Sequence, residues 1–100
     1  MTATQLGDRR EVVSAEAFIE LVIWRLPKPV PPSAHRFKYR LAYVVSGQCV
    51  VRYDNERGKG DHRHYGSSEV EYSFRGIETL IDDFKVDIEV WNNENRHSRR

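Results

Sequence analysis

The sequence predicts an α+β domain, an antiparallel β-meander of three to four strands with a C-terminal amphipathic helix packed on one face. Three observations carry that expectation. Phe37, Tyr39, Leu41, Tyr43 and Val45 alternate with Arg36, Lys38, Arg40, Ala42 and Val44, the period of a strand with one buried face. From about Gly76 the period lengthens: Ile77, Leu80, Ile81, Phe84, Ile88 and Trp91 fall on one helical stripe, with Asp82, Asp83, Lys85, Asp87 and Glu89 on the solvated sides. Between the first apolar run and the clear strand, Pro27-Lys28-Pro29-Val30-Pro31-Pro32 excludes both helix and ladder.

Residues 1–13 are polar and unpatterned and read as a flexible tail, as do residues 92–100, leaving one domain over residues 14–91. The run Phe18 to Leu26 fits a helix with Phe18, Leu21 and Val22 on one side, or a strand; its β-branched and aromatic content favours the strand. The proline segment is then a stiff connector. The strand at residues 36–45 is followed by a second at Cys49 to Asp54. Face matching predicts a three-residue Ser46-Gly47-Gln48 loop that pairs Val45 with Cys49, Tyr43 with Val51 and Leu41 with Tyr53 on the core side, and Arg40 with Asp54 on the polar side. Val70, Tyr72 and Phe74 give a short, weaker strand at residues 69–74.

At 100 residues and 39% hydrophobic content, the chain suffices for one modest core. Lys+Arg 16 against Asp+Glu 15 excludes a dedicated nucleic-acid-coating protein, so a nucleic-acid site has to be a local patch. The single cysteine, Cys49, has no disulfide partner and is expected in the core; with no apolar run of signal or membrane-spanning length, the expected location is cytoplasmic.

The chemistry concentrates in Tyr53-Asp54-Asn55-Glu56-Arg57-Gly58-Lys59-Gly60-Asp61-His62-Arg63-His64. In an extended segment His62 and His64 project to the same side and can flank one phosphate. RNA cleavage through the 2′-hydroxyl needs a base, an acid and cations, and His62, His64, Lys59 and Arg63 are the candidate catalytic residues. Arg57, Arg52 and the row Arg36, Lys38 and Arg40 are candidate phosphate contacts, and backbone N–H groups at Gly58 to Gly60 can face a phosphate. The segment is not a Walker A loop, lacking the four-residue gap and the Ser/Thr after Lys. Tyr53 and Tyr65 are the candidate stacking aromatics, while Trp24, Tyr39, Tyr43 and Trp91 read as core. Asp61 is expected to orient a histidine or hold Lys59, and Asp54 to position Arg40.

The run His35-Arg36-Phe37-Lys38-Tyr39-Arg40-Leu41, then Arg52-Tyr53-Asp54-Asn55, then Gly58-Lys59-Gly60-Asp61-His62-Arg63-His64, with a closing helix around Leu80 to Phe84, resembles the TumE family of small toxins. The resemblance covers roughly residues 18–91. It implies the toxin half of a TumE–TumA toxin–antitoxin pair: a cytoplasmic growth inhibitor silenced by a helix-turn-helix antitoxin.

Two classes of function remain open at this stage. One is a small ribonuclease without metal. Within that class a divalent metal such as zinc or manganese on His62, His64 and Asp61 is the alternative, disfavoured because Lys59 and Arg63 already supply positive charge. The other is a non-catalytic module that binds RNA or protein through the same basic loop. Self-association into a homo-oligomer is left open, and no membrane partner is expected.

Overall fold

The computed structural model describes residues 2–96, with the backbone alone for Arg96. Strands β1 (Thr4–Val12), β2 (Ala17–Arg25), β3 (Phe37–Val45), β4 (Gln48–Glu56), β5 (Gly60–Tyr65) and β6 (Ser68–Glu71) form one antiparallel sheet in chain order, followed by α1 (Ile77–Arg96). The α+β class, the meander and the C-terminal helix agree with the sequence. The strand count does not: the sheet has six strands rather than three or four.

The extra strands come from segments with no apolar alternation. Residues 4–12, expected to be part of a tail, pair with β2 as an edge strand whose side chains are almost all exposed, so burial imposed no period there. Residues 60–65, expected to be loop, form β5 because polar side chains on both of its faces find partners. The segment expected to be strand over residues 69–74 pairs only as Ser68–Glu71. At the other end, α1 runs through Asn92 to Asn95, which were assigned to the polar tail; residues 97–100 of that tail and Met1 lie outside the described residues. No helix among the described residues is long and apolar enough to cross a membrane.

Sheet register decides which residues face the helix. Leu21, Leu41, Tyr53 and Arg63 lie in one cross-strand row on the helix side; Val22, Arg40, Asp54 and His62 lie in the neighbouring row on the open side. Tyr39, Leu41, Tyr43, Val51 and Tyr53 meet Leu80 and Phe84 in the core, with α1 lying over β4. Burying each of these large side chains contributes about 1.5–3 kcal/mol, an upper figure given a compact unfolded chain.

The β3–β4 hairpin departs from its expected loop yet keeps its expected faces. Val45 pairs directly with Gln48 across a two-residue turn, where Ser46 (φ 49°) and Gly47 (φ 80°) both adopt the left-handed conformation that a type I′ turn requires. The register then shifts by one residue between Tyr43 and Val44, leaving Val50 as the extra residue of a bulge whose carbonyl accepts the Gly66 N–H at 2.9 Å. Below the bulge, Tyr43–Val51, Leu41–Tyr53 and Arg40–Asp54 pair as face matching predicts. Above it Cys49 pairs with Val44 and is exposed, not in the core.

Candidate functional site on the open face of the sheet

Strand β5 sorts its side chains by alternation: Asp61, Arg63 and Tyr65 point toward the helix, His62 and His64 toward the open face. That alternation separates residues that stand together in sequence.

On the helix side the polar groups of β5 are all committed. Asp61 accepts hydrogen bonds from the Ser33 hydroxyl, from Tyr39 Oη at 2.7 Å and from His35 Nε2 at 2.7 Å. The Phe37 N–H donates to His35 Nδ1 at 3.1 Å, which fixes the tautomer with the proton on Nε2, and Phe74 stacks on the same ring at 3.8 Å. Burial works to raise the Asp61 pKa, but the Ser33, Tyr39 and His35 donors outweigh it and hold the carboxyl below its ordinary value. The phenol of Tyr39 is pushed well above its usual range by burial and by the neighbouring carboxylate. Asp61 therefore orients a histidine as expected of it, but His35 instead of His62 or His64, and it does not hold Lys59.

Arg63 is equally occupied. Its Nε and Nη2 donate to Asp87 at 2.6 and 3.0 Å in a two-pronged pair, and Nε also reaches Tyr53 Oη at 3.1 Å. The Asp87 carboxylate raises the Arg63 pKa further and accepts a hydrogen bond from Tyr53 Oη at 2.6 Å. Arg63 is thus removed from the set around the histidines, and Tyr53, 2% exposed, is core and not a stacking platform. Tyr65 donates to Glu94, its ring lies 5.3 Å from the Arg63 guanidinium, and burial together with Glu94 pushes its pKa up to about 12. Asp87, read as solvated, is buried, and Asp83 accepts from Tyr72 Oη at 2.6 Å.

The loop between β4 and β5 also differs from expectation. Arg57, Gly58 and Lys59 form a three-residue turn closed by Glu56 opposite Gly60. The Gly58 N–H donates to Pro31 O at 2.9 Å and the Lys59 N–H to Glu56 O at 3.1 Å, so these amides are spent on the fold rather than presented to an anion. Gly60, at φ 80°, packs where a Cβ would come within 3.1 Å of Pro32. The proline connector thereby clamps the turn. Arg57 is exposed at its tip.

The open face assembles the rest. Arg52 Nη2 donates to His64 Nε2 at 3.0 Å, and the same nitrogen of His64 lies 3.4 Å from Glu69 and 3.8 Å from Asp54. Arg52 Nε sits 3.2 Å from Asp54 as an ion pair without hydrogen-bond geometry, so Asp54 positions Arg52; Arg40 instead lies 3.7 Å from Glu20. His62 Nδ1 lies 3.2 Å from Gly60 O, to which it donates, leaving Nε2 as the lone-pair nitrogen with no hydrogen-bond partner among the described residues. Lys59 reaches over the edge to Glu69 at 3.5 Å. Desolvation opposes ionisation of Glu69, but the nearby His64 and Lys59 prevail and hold its carboxyl below the ordinary value.

Beside the histidines lies a hollow of about 340 Å³ lined by Val22, Trp24, Lys38, Arg40, Arg52, Asp54 and Glu56, among others. Lys38 and Arg40 are thus on this face as expected, with the Lys38 ammonium bound to the Asn55 carbonyl; Arg36 is not, lying beside Arg25 and Thr4 at the start of β3. Trp24 was read as core and is the residue the sequence misplaces here: its strand is apolar on both sides, and only its register opposite Lys38 shows which side it takes. The alternative metal set of His62, His64 and Asp61 is not brought together, because Asp61 is on the other face; no group of three or more metal-ligating side chains converges among the described residues.

A protein-family model for toxin TumE matches residues 2–92. The chain belongs to the TumE toxin family. Comparison with curated proteins and with solved structures gives no match. In this TumE-family chain the glycine-lysine-glycine-aspartate-histidine run supplies a clamped turn, one largely buried carboxylate and the first of two open-face histidines.

Proposed function

We propose that this toxin acts on RNA as a small ribonuclease, with His62 and His64 as the proton-transfer pair. The observation that carries the reading is their placement side by side on the open face, next to Arg52 and Arg40 and within reach of Lys59, while their sequence neighbours Asp61 and Arg63 are bound up on the other face. His62 is oriented as the base. Its Nδ1–H is directed to Gly60 O, so Nε2 offers a lone pair to a ribose 2′-hydroxyl. The 2′-oxygen then attacks phosphorus, and the bond to the 5′-oxygen breaks as that oxygen takes a proton from His64. His64 has partners in both states: neutral, it accepts from Arg52; protonated, it gains Glu69 and Asp54. Arg52 and Lys59 offset the charge that develops on the phosphate.

The same basic face makes it the surface for a helix-turn-helix antitoxin, which silences the toxin by occluding the histidines. The test is cleavage of RNA by purified protein in EDTA. The reading expects products ending in 2′,3′-cyclic phosphate and a rate that rises and then falls across neutral pH. Activity lost on chelation and restored by zinc or manganese would instead place a metal in the mechanism. A protein that binds RNA without cutting it would leave the non-catalytic inhibitor, the second reading, which Arg40, Arg52 and Trp24 lining one hollow on the open face also support.

A further inference from the structure

The hollow beside the histidines exists because β3 and β4 part company there. Their backbone pairing ends at Arg40 opposite Asp54, and beyond it the buried Asn55 amide bridges the strands, donating to Phe37 O at 2.6 Å and accepting from Tyr39 N at 2.9 Å. Trp24, from β2, lines one part of the opening, and Glu56, at the end of β4, lines another. The cations on its lining are already engaged: Lys38 with Asn55, Arg40 with Glu20, Arg52 with His64 and Asp54. Glu56 is different. Its carboxylate has no hydrogen bond or ion pair among the described residues, and it is exposed.

An indole and an uncommitted carboxylate that line one hollow have a specific complement. A nucleobase stacks on an aromatic ring through its flat face and is identified along its Watson–Crick edge. A carboxylate only accepts, and of the four RNA bases guanine alone presents two adjacent donors on that edge, N1–H and N2–H. Adenine and cytosine set a donor beside an acceptor, and uracil has one donor between two carbonyls. Asp54, on the wall of the hollow, pairs across the sheet with His62, one strand spacing of about 4.8 Å away. Arg52 and Asp54 line the same hollow as Trp24, so a base seated in it can place its own 3′-phosphate on the Arg52 side, the side that leads to the histidine pair.

We propose that Trp24 and Glu56 form a guanine subsite that selects the nucleotide on the 5′ side of the cleaved phosphate. The proposal rests on the RNA reading for its biological meaning, but its test does not require cleavage. Tryptophan fluorescence of the Trp91→Phe protein, in which Trp24 is the sole indole, is titrated with each of the four nucleoside 3′-monophosphates; calorimetry on the wild-type protein repeats the measurement should that variant fold poorly. The guanosine nucleotide should quench Trp24 and bind at least about ten-fold more tightly than the cytidine one, the discrimination expected of a two-pronged contact. Glu56→Gln should erase that preference, and Trp24→Leu should weaken all four. Equal binding of the four nucleotides, no binding at all, or a preference that survives Glu56→Gln overturns the subsite. The two readings fail separately. Guanosine binding retained in a protein that never cuts RNA upholds the subsite and removes the ribonuclease. Histidine-dependent cleavage with no preference for guanosine does the reverse.

Discussion

Both faces of β5 carry ionisable side chains, and the two do opposite things. Toward the helix, Asp61 and Arg63 spend their hydrogen-bonding capacity on Ser33, His35, Tyr39, Tyr53 and Asp87, tying together segments up to 28 residues apart in sequence. Toward the open side, His62 keeps a ring nitrogen unengaged and His64 shares one nitrogen among Arg52, Asp54 and Glu69. A charged residue whose partners are complete stabilises the fold and has nothing left for a substrate. One whose partners are incomplete or competing can change protonation state without unfolding anything. Chemistry on this strand therefore follows the face a side chain occupies, not its closeness in sequence to the glycine-rich turn.

The largest effect that can break this comparison is on activity. His62→Ala or His64→Ala is expected to lower RNA cleavage by about 10²–10⁴-fold, the usual contribution of a positioned acid or base, while denaturation midpoints stay near wild type. On the other face, Arg63→Met is expected to cost about 2–3 kcal/mol by chemical denaturation. That is below the ~3–5 kcal/mol for a fully buried pair because Arg63 is a third exposed, but it still leaves Asp87 buried and unpaired.

Asp61→Asn is expected to cost about 1–3 kcal/mol, since Tyr39 and His35 lose a charged acceptor. This position also sharpens the comparison through pH. The Asp61 carboxyl is held below its ordinary value, so the folded protein binds that proton less readily than the unfolded chain does. The stabilisation is complete above the unfolded value of about 3.9 and is lost as pH falls through the lower folded value, so Asp61→Asn should flatten the acid side of a stability–pH curve. The smallest effect belongs to the rim. Lys59→Ala breaks an exposed pair with Glu69 and should leave the denaturation midpoint near wild type, while weakening RNA binding more at low salt than at high salt.

Much of the fold was legible because burial writes a period into the chain. Tyr39 to Val45, Val51 with Tyr53, and Leu80 with Phe84 carry that period, and they gave the right faces even where the turn between β3 and β4 was wrong, since the bulge at Val50 restored the register. β1 was not legible, because an edge strand with Arg9, Arg10 and Glu11 exposed has no face to mark. β5 was not, because its inward side chains are polar and their partners come from distant segments. One missed signal was present. Asp87 stands three residues after Phe84 and four before Trp91, on the apolar stripe itself, and an acidic residue there calls for a buried cation such as Arg63. That His62 and His64 share a side followed from their spacing once the segment was taken as extended. The hollow at Trp24 was not, because it depends on where β3 and β4 separate.

The most direct measurement compares the faces in one experiment: RNA cleavage rate and melting temperature of purified wild-type, His62→Asn, His64→Asn and Arg63→Met proteins, with rates taken well below every melting point. The account predicts that both histidine variants melt near the wild-type temperature and lose at least about 100-fold in rate. It predicts that Arg63→Met melts roughly 10–20 °C lower yet, while folded, cleaves within a few-fold of wild type. Histidine variants that cleave at the wild-type rate, or a folded Arg63→Met protein that cleaves no RNA, would contradict it.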